Sequence, residues 1–339
     1  MKGLILAAGR GTRLRPLTGR RSKPLLPLIG QPLIAYPLQK LLYAGITEIG
    51  IVAGDNEDEL RSGLSHIPAD LSFIRQDEPL GLAHAVNCAR GFCADDDFIL
   101  LFCDNLFSEP LALAQAQWAQ ECAAVPDLGA LIHTIEVDDP RAFGVAVVDE
   151  AGFVVELEEK PAQPKTNLAV IGIDFLTPSI FEAIGRIKPS ARGELEITDA
   201  IGELIKLGLK VKARPLGGFW YDTGTFPDLL DVQKPLMDEM GVYQAIGSHG
   251  GCELSGPVGI GPRSKVREST LTGPVMIGAD STVTECKLGP YTAVGHGCEL
   301  TDCELSHCQV YPGTKLTGVK DSDAIFDGDL RVDRGTEPG

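Results

Sequence analysis

Residues 3–23 read GLILAAGRGTRLRPLTGRRSK, an aliphatic run followed by two glycines and a series of cations. The aliphatic part, Leu4 to Ala8, is typical of a buried strand. It gives way to Gly9 and Gly11, whose lack of side chains lets backbone N–H groups approach a bound anion closely. This order of residues predicts a strand that ends in an anion-binding loop.

The loop is strongly basic, whereas the chain as a whole is acidic. The chain carries 47 Asp and Glu against 30 Lys and Arg, which gives a net charge of −17. A polyphosphate held by N–H groups and charge-assisted hydrogen bonds explains such a local inversion of charge. A solvated basic loop is the alternative, and the glycines between strand and cations favour the phosphate. The cations of the loop are Arg10, Arg13, Arg15, Arg20, Arg21 and Lys23.

Two common phosphate-binding motifs do not fit this loop. A dinucleotide fingerprint needs a third glycine where the chain has Leu14, and the Gly-Lys-Ser/Thr ending of nucleotide hydrolases is absent. The pattern G-x-G-T-R-x-x-P-x-T followed by a lysine resembles the sugar-1-phosphate nucleotidyltransferases, most closely the glucose-1-phosphate thymidylyltransferases. The resemblance implies that Arg13 and Lys23 hold the triphosphate of a nucleotide. It also assigns four further residues to the nucleotide-binding loop: Ala8, Gly9, Gly11 and Thr12.

Length and composition restrict the class of protein. A chain of 339 residues is long enough for two domains, and its acidic balance argues against nucleic acid or an anionic membrane surface as a partner. The first strand follows Met1 directly, which leaves no room for a signal peptide, and no apolar run is long enough to span a membrane. Nine cysteines without a paired framework predict reduced thiols and a cytoplasmic location.

Strands and helices alternate over residues 1–240. Alternation at this spacing predicts an α/β domain with a Rossmann-like, mostly parallel sheet covered on both faces. The resemblance implies that this is a nucleotidyltransferase catalytic domain of GT-A-like architecture. Ligands of such sheets bind beyond the carboxyl ends of the strands, where the first loop also lies.

Gln76 and Gly81 flank a predicted turn that contains Pro79. A glutamine amide supplies both a donor and an acceptor, and a glycine lets its backbone reach the edge of a base. A turn without any ligand is the alternative from the segment alone. The resemblance implies that Gln76 and Gly81 contact the nucleotide base, whereas His84 is predicted to be a helix residue and not a catalytic base.

Two aspartates are candidate metal ligands. Asp104 ends an apolar strand, and Asp222 lies in the sequence Trp220-Tyr221-Asp222-Thr223-Gly224. Carboxylates suit a hard cation, although a strand-end aspartate that caps the following turn is an ordinary alternative. The resemblance implies that both hold Mg²⁺, because the family carries its metal ligands in the patterns G-D-N and W-x-D-T-G. Cys103 replaces the usual glycine of the first pattern.

Glu159 and Lys160 stand in an E-K-P corner. By themselves they could form a surface ion pair worth under about 1 kcal/mol. The resemblance implies that Lys160 holds the sugar phosphate and Glu159 bonds a sugar hydroxyl, with Gly144 and Val170 also in the sugar pocket. Thr198 and Asp199 precede a predicted helix, and helix capping is the ordinary role for either.

From about residue 250 to 320 the sequence repeats every 17 residues. Three aliphatic columns spaced by six, six and five residues predict a triangular coil, and the pattern resembles the left-handed β-helix of hexapeptide-repeat proteins. The register slips by one at Val310 and Leu316, which predicts a capping coil, and the polar tail 321–339 is predicted to be loosely ordered. Cys286 and Cys303 are predicted to be stacked interior thiols. The columns are Leu254, Leu271, Leu288 and Leu305; Ile260, Ile277 and Val294; and Val266, Val283 and Leu300.

The resemblance implies that a nucleoside triphosphate and a sugar-1-phosphate react to a nucleotide sugar and pyrophosphate. The expected pair is dTTP and glucose-1-phosphate. Alternatives are UTP or a purine triphosphate, another hexose or a cyclitol phosphate as acceptor, and a non-catalytic regulatory homologue. The β-helix is expected to mediate homo-oligomerisation; an acyltransferase activity of its own is the alternative.

Overall fold

The structure is a computed structural model that describes residues 1–240 and 243–337. The chain forms two compact units, each built from two stretches. The first unit combines Met1–Gly9 with Ile34–Trp220, and the second combines Arg10–Leu33 with Tyr221–Gly339. The first loop of the chain therefore belongs to the same compact unit as the C-terminal repeats.

A mixed sheet forms the core of the first unit. Its strands are β1 (Lys2–Leu6), β2 (Glu48–Ala53), β3 (Asp70–Arg75), β4 (Phe98–Phe102), β5 (Leu128–Glu136), β6 (Gly144–Val148), β7 (Val154–Glu159), β8 (Leu168–Leu176) and β9 (Lys210–Pro215). Five of them are neighbours in the order β3-β2-β1-β4-β8. Beyond these, β8 also pairs with β6 and with β5, β7 pairs with β6, and β9 pairs with β5.

The predicted α/β fold is confirmed, with one difference in strand direction. The strands from β3 to β4 are parallel, but β8 runs antiparallel to β4, β5 and β6. The sheet is thus mixed, because the segment between β5 and β8 returns as a β6–β7 hairpin and not through a crossover helix. Leu4 and Ile5 of the central strand are fully buried.

Helices cover the sheet and place apolar residues against it. The amphipathic helix α7, for example, buries Ile197, Ala200, Ile201 and Leu204. The helices of the first unit are α1 (Ala35–Tyr43), α2 (Glu57–Gly63), α3 (Leu82–Cys88), α4 (Arg90–Cys93), α5 (Leu111–Ala124), α6 (Ile180–Ile184) and α7 (Ile197–Lys206). No helix within residues 1–240 and 243–337 has the length and apolar character needed to cross a bilayer.

The second unit contains a triangular stack of parallel strands, as expected for a left-handed β-helix. Two helices, α8 (Phe226–Asp231) and α9 (Gln233–Glu239), precede it. Its first side consists of Ser248–Gly250, Lys265–Arg267, Thr282–Thr284, Glu299–Thr301 and Lys315–Thr317. The second consists of Glu253–Ser255, Thr270–Thr272, Lys287–Leu288, Glu304–Ser306 and Lys320–Ser322. The third consists of Val258–Ile260, Val275–Ile277, Thr292–Val294, Gln309–Val310, Ala324–Asp327 and Leu330–Asp333.

The strand register confirms the three aliphatic columns. Leu271 pairs with Leu254 on one side and Leu288 on the other, and Ile277 pairs with Ile260 and Val294 in the same way. The predicted interior thiols are also confirmed: Cys286 and Cys303 are buried, and the backbone N–H of Cys303 lies 3.4 Å from Cys286 Sγ.

The C-terminal end differs from the prediction. Val310 and Leu316 still pair with Val294 and Leu300, so the slip of one residue is absorbed without leaving the stack. The prediction of a loosely ordered tail is wrong for residues 324–333: Ala324–Asp327 extends the third side, and Leu330–Asp333 pairs with it antiparallel. The polar composition of this segment hid four apolar residues that are buried: Ala324, Ile325, Phe326 and Val332. Residues 338 and 339 of the predicted tail lie outside the described residues.

The stacked columns predict a large cost for truncating one member. Leu288 is 1% exposed and lies between Leu271 and Leu305. We expect Leu288→Ala to lower the free energy of unfolding by about 2–5 kcal/mol, because it opens a cavity in a packed stack. Its neighbour Lys287 is exposed and pairs with Glu304 at 3.3 Å, so the control Lys287→Ala is expected to cost about 1 kcal/mol or less. Urea denaturation of both variants measures the difference, and equal losses would contradict the predicted side-chain orientation.

Candidate active site

The chain leaves β1 at the edge of the sheet where the parallel strands end. The backbone of Ala7 is fixed there, because its N–H donates to Val52 O at 2.8 Å and its carbonyl accepts from Asn56 Nδ2 at 2.9 Å. Ala8 is half-buried next to this anchor, and Gly9 is exposed. Ala8 and Gly9, the two predicted loop residues in the first unit, thus follow directly after a fixed strand end.

Gln76 and Gly81, which are both predicted to contact the nucleotide base, are in direct contact with each other. Gln76 follows β3 and is 7% exposed. Its amide Nε2 lies 3.2 Å from the carbonyl oxygen of Gly81 and 3.0 Å from His84 Nδ1. The Nε2 group therefore holds the turn together, and His84 lies in α3 as predicted.

Gly81 has a structural requirement that the sequence does not reveal. Its φ is 114°, and a Cβ at this position would lie 2.5 Å from the carbonyl oxygen of Leu195. Backbone hydrogen bonds on either side fix this approach, from Ala83 N to Leu195 O and from Leu195 N to Leu80 O. The turn is consequently attached to the segment that leads into α7.

Asp104 lies two residues beyond the end of β4 and is half-buried. Asn105 donates from Nδ2 to Asp104 Oδ1 at 3.1 Å. The Oδ1 of the same amide accepts from Trp220 Nε1 at 2.9 Å, and the backbone N–H of Gly172 lies 3.4 Å from it. Asn105, which sequence reasoning did not single out, connects the first metal-ligand candidate to Trp220 of the second motif.

Three of the four residues predicted for the sugar pocket form one row across the sheet. Glu159 at the end of β7 pairs with Gly144 on β6, and Gly144 pairs with Val170 on β8. A Cβ on Gly144 would lie 2.4 Å from Thr198 Cγ2, so only glycine leaves room for that side chain. Residues from separate segments are thereby brought together.

Glu159 is the centre of a polar cluster. Its Oε2 accepts from Thr198 Oγ1 at 2.9 Å, and its Oε1 lies 3.4 Å from Arg192 and 3.5 Å from Lys160 Nζ. Lys160 adopts φ of 44°, a left-handed conformation that is uncommon for residues other than glycine and tends to occur at functional sites. Two cations therefore face one carboxylate oxygen.

The cluster corrects the capping prediction for Thr198. Helix α7 begins at Ile197, its N-cap is Glu196, and no side chain caps it. Thr198 instead contacts Glu159, and Asp199 lies within the first turn. Burial raises the pKa of Glu196, which accepts a hydrogen bond from Ser190 at 2.8 Å.

In the second unit, the first loop is folded back on itself. Thr18 Oγ1 donates to Gly11 O at 2.9 Å. Gly11 has φ of 59°, and a Cβ there would lie 2.8 Å from Lys23 Cβ. Lys23 is 7% exposed, so its position is set by this packing. Thr12 is exposed at the start of a short 3₁₀ turn, Thr12–Leu14.

Arg13 lies against the W-x-D-T-G segment. The Nη2 of Arg13 lies 2.8 Å from where a Cβ on Gly224 would be, so the guanidinium lies directly against this glycine. Asp222 is half-buried two residues earlier, and Thr225 begins α8 with a capping box to Asp228. Arg13 and the segment of Asp222 are thus brought together within this unit.

Two of the six cations of the loop form ion pairs with carboxylates of the C-terminal segment. Arg20 pairs with Asp329 at 2.6 Å, and Arg21 pairs with Asp327 at 2.7 Å. The sequence analysis listed both arginines among the cations that favour a phosphate-binding loop, and it assigned only Arg13 and Lys23 to the triphosphate. Their carboxylate partners lie about 300 positions away along the chain, which is why no local pattern indicated them.

In the described part of the chain, the two candidate metal ligands, Asp104 and Asp222, do not belong to a larger cluster of metal-binding side chains. Within residues 1–240 and 243–337 no group of three or more His, Cys, Asp or Glu side chains is arranged to hold a metal ion. The amide oxygen of Asn105 is occupied by Trp220, so it does not supply a third ligand. Asp104 in the first unit and Asp222 in the second are each half-buried carboxylates, the kind of group that a hard cation prefers.

Comparison with known proteins identifies the family. The chain matches the family described as nucleotidyl transferase over residues 2–239, and it belongs to that family. The match includes parts of both compact units. Enzymes of this family generally use a divalent metal ion.

Named relatives are similar over the same region. A glucose-1-phosphate thymidylyltransferase of Streptomyces griseus is 42% identical over 241 residues, which are 70% of this chain and 66% of the relative. The low-salt glycan biosynthesis nucleotidyltransferase Agl11 of Haloferax volcanii is 40% identical over 70% of this chain and 67% of its own length. A crystal structure of UDP-glucose pyrophosphorylase with UDP-glucose is 27% identical with a TM-score of 0.62, covering 70% of this chain and 98% of that one. The chain thus matches about two thirds of the length of these curated relatives.

The close approach of Gly81 to Leu195 predicts that this glycine cannot be replaced. We expect Gly81→Ala to lower the free energy of unfolding by more than about 1 kcal/mol, because it adds both a backbone clash and strain at positive φ. Gly91 in α4 has open space around its Cβ position and an ordinary φ, so the control Gly91→Ala is expected to be neutral or stabilising. Chemical denaturation distinguishes the two, and a neutral Gly81→Ala would contradict the close contact.

Proposed function

We propose that this protein transfers a nucleotidyl group from a nucleoside triphosphate, dTTP first, to glucose-1-phosphate and releases pyrophosphate. The observation that supports this best is the row formed by Glu159, Gly144 and Val170 beside Lys160. These positions were predicted for a sugar-phosphate pocket from separate segments. Membership of the nucleotidyl transferase family supports the same reaction.

In the proposed reaction, a phosphate oxygen of the sugar phosphate attacks the α-phosphorus of the triphosphate. A new P–O bond forms as the bond to the β-phosphate breaks, and the electron pair leaves with pyrophosphate. The reacting groups are both anionic, so the protein's task is to neutralise charge and to align them in line. Arg13 and Lys23 would hold the triphosphate and the departing pyrophosphate.

Lys160 and Glu159 would position the acceptor. Thr198 occupies one oxygen of Glu159, so the other oxygen, which faces Lys160 and Arg192, is the one available to a sugar hydroxyl. Arg192 lies beside the same Glu159 oxygen as Lys160. It would therefore place a second positive charge near the sugar phosphate that Lys160 binds. The pocket thus combines an acceptor for the sugar with donors for its phosphate.

Asp104 and Asp222 would hold a divalent cation, which we propose to be Mg²⁺. When bound, the ion would neutralise charge on the phosphates of the nucleotide. Asn105 would keep one oxygen of Asp104 in a fixed orientation through its hydrogen bond. Arg13, which lies next to Gly224, would bind the same phosphates with its positive charge.

Gln76 is the proposed recognition group for the base. Its Nε2 is directed at Gly81 and His84, which leaves the carbonyl oxygen to accept from a base. The N3–H of thymine or uracil is a donor of the required kind. UTP is therefore the second candidate nucleotide, and the likeness to a UDP-glucose pyrophosphorylase favours keeping it.

Two further parts of the proposal concern the state of the protein in the cell. We propose that it forms a homo-oligomer through its β-helix, its catalytic domain or both, and acts in the cytoplasm. The nine cysteines are free thiols, as a reducing compartment requires.

A pyrophosphate-release panel tests the reaction and its substrates. Four nucleoside triphosphates are each combined with several sugar-1-phosphates, and dTTP with glucose-1-phosphate is expected to give the highest kcat/KM. Higher turnover with UTP would change the nucleotide and leave the reaction class intact. No pyrophosphate release with any pair would contradict the proposed function.

Asp104→Asn tests the role of the first carboxylate. Because it removes a charged oxygen ligand but keeps the shape, we expect a loss of about 10²–10³ in kcat with an unchanged unfolding midpoint. The matched control is Asp95→Asn, an exposed aspartate in the segment that precedes the same strand. Near-normal activity of Asp104→Asn would exclude this residue from the metal site.

Removal of the metal provides a separate test. Turnover is expected to stop with EDTA and to return when Mg²⁺ is added in excess. The reason is that the two carboxylates and the phosphates are all negative, so they need a cation between them. Binding of Mn²⁺, followed by electron paramagnetic resonance in the presence of nucleotide, should weaken in Asp222→Asn. Full turnover in EDTA would contradict the metal assignment.

A further inference from the structure

The end of the β-helix holds the first loop by two ion pairs. Arg20 bonds Asp329 at 2.6 Å and also donates to the backbone carbonyl of Asp327. Arg21 bonds the carboxylate of Asp327 at 2.7 Å. Both carboxylates lie at the turn between the strands Ala324–Asp327 and Leu330–Asp333, which we call the terminal hairpin.

The second pair is largely withdrawn from water. The side chain of Asp327 is 5% exposed and that of Arg21 is 26% exposed, whereas Asp329 is 91% exposed. The guanidinium of Arg21 also lies over the ring of Tyr311, 5.4 Å from its centre, and Tyr311 is 1% exposed. A buried charge that loses its partner is costly, so the Arg21–Asp327 pair fixes the backbone far more strongly than the exposed pair does.

The fixed point lies close to the loop residues that carry the proposed chemistry. Arg21 is two positions from Lys23, and Lys23 packs against Gly11. Thr18 closes the remaining part by its hydrogen bond to Gly11. From Thr12 to Leu25 the described structure consists of three short 3₁₀ turns, Thr12–Leu14, Leu17–Gly19 and Lys23–Leu25.

Turns of this kind are marginal alone and take their order from tertiary contacts. We propose that Asp327 and Asp329 are positioning residues for the nucleotide. By binding Arg21 and Arg20, the terminal hairpin fixes the loop that presents Arg13 and Lys23. The proposal rests on the proposed function, since it assigns the loop to the triphosphate. It gives the β-helix a direct role in substrate binding, apart from any role in assembly.

Asp327→Asn and Asp329→Asn test the proposal in the full-length chain. We expect KM for the nucleoside triphosphate to rise about tenfold in Asp327→Asn and about two- to threefold in Asp329→Asn, with kcat within about twofold. The KM for the sugar-1-phosphate should stay unchanged, because Glu159 and Lys160 belong to the other compact unit. A general folding defect would not separate the two substrates in this way.

Controls match the chemistry of the substitution. Asp280→Asn removes a carboxylate that binds Arg263 on another coil of the same β-helix, and it should leave both KM values unchanged. Asp329→Glu keeps the charge and should behave as wild type. Because Asp329 is exposed, its variants remain informative even when Asp327→Asn is too unstable to assay. The double variant Arg20→Gln/Asp329→Asn should raise KM for the nucleotide further than Asp329→Asn does, because it also removes the hydrogen bond from Arg20 to the Asp327 carbonyl.

Hydrogen–deuterium exchange of residues 10–24 without substrate reads the loop directly. Exchange should be faster in both Asn variants and unchanged in Asp280→Asn. Faster exchange with an unchanged KM for the nucleotide would overturn the positioning role, and a lower KM would indicate that the hairpin sequesters the arginines from the phosphates. Absence of turnover in the wild-type protein would refute the proposed function instead. The exchange measurement would still test the contact in that case, and unchanged exchange in the two Asn variants would refute it.

Discussion

The parallel pairing of β1 with its two neighbours is the constraint on which the candidate site depends. Because β1, β2, β3 and β4 run in one direction, the residues that follow them leave the sheet at a common edge. Ala8, Gln76 and Asp104 are each among the first residues after one of these strands. Their separation along the chain therefore does not measure their separation in space. Hydrogen bonds to Ala7 and Gln76 keep the strand ends in register.

Patterns that a single unit repeats were predictable from the sequence. The columns of the β-helix follow from a spacing of 17 residues, because each coil imposes the same inward positions on the next. The alternation of strands and helices likewise predicted the α/β class. Strand direction was less predictable, since the antiparallel course of β8 follows from the β6–β7 hairpin and not from the alternation of strands and helices. The strands after Asp321 were missed because the spacing changes: Phe326 continues the column of Val294 and Val310, but at 16 residues instead of 17.

At the candidate site, the structure gives reasons for particular residues that the sequence did not indicate. Gly81 was assigned to a base, while the structure shows that Leu195 already requires a glycine there. Thr198 looked like a helix cap, because a threonine before a helix usually is one, but its hydroxyl donates to Glu159. Each of these contacts joins residues far apart in the chain, so no local rule contains it. The resemblance supplied the sugar-pocket row, which composition and spacing alone would not have assembled.

The basic loop shows why counting charges is a weak guide to their use. In a chain of net charge −17, any exposed carboxylate near the loop competes with a phosphate for its cations. The loop contains no carboxylate of its own, and two carboxylates that reach it, those of Asp327 and Asp329, pair with Arg21 and Arg20. Arg13 lies over Gly224. Asp327 and Asp329 are thus paired with cations that can serve as anchors. The same ion pairs that withdraw two positive charges from a ligand also fix the backbone of the remaining loop. A flexible loop would instead lose conformational entropy each time it bound a ligand.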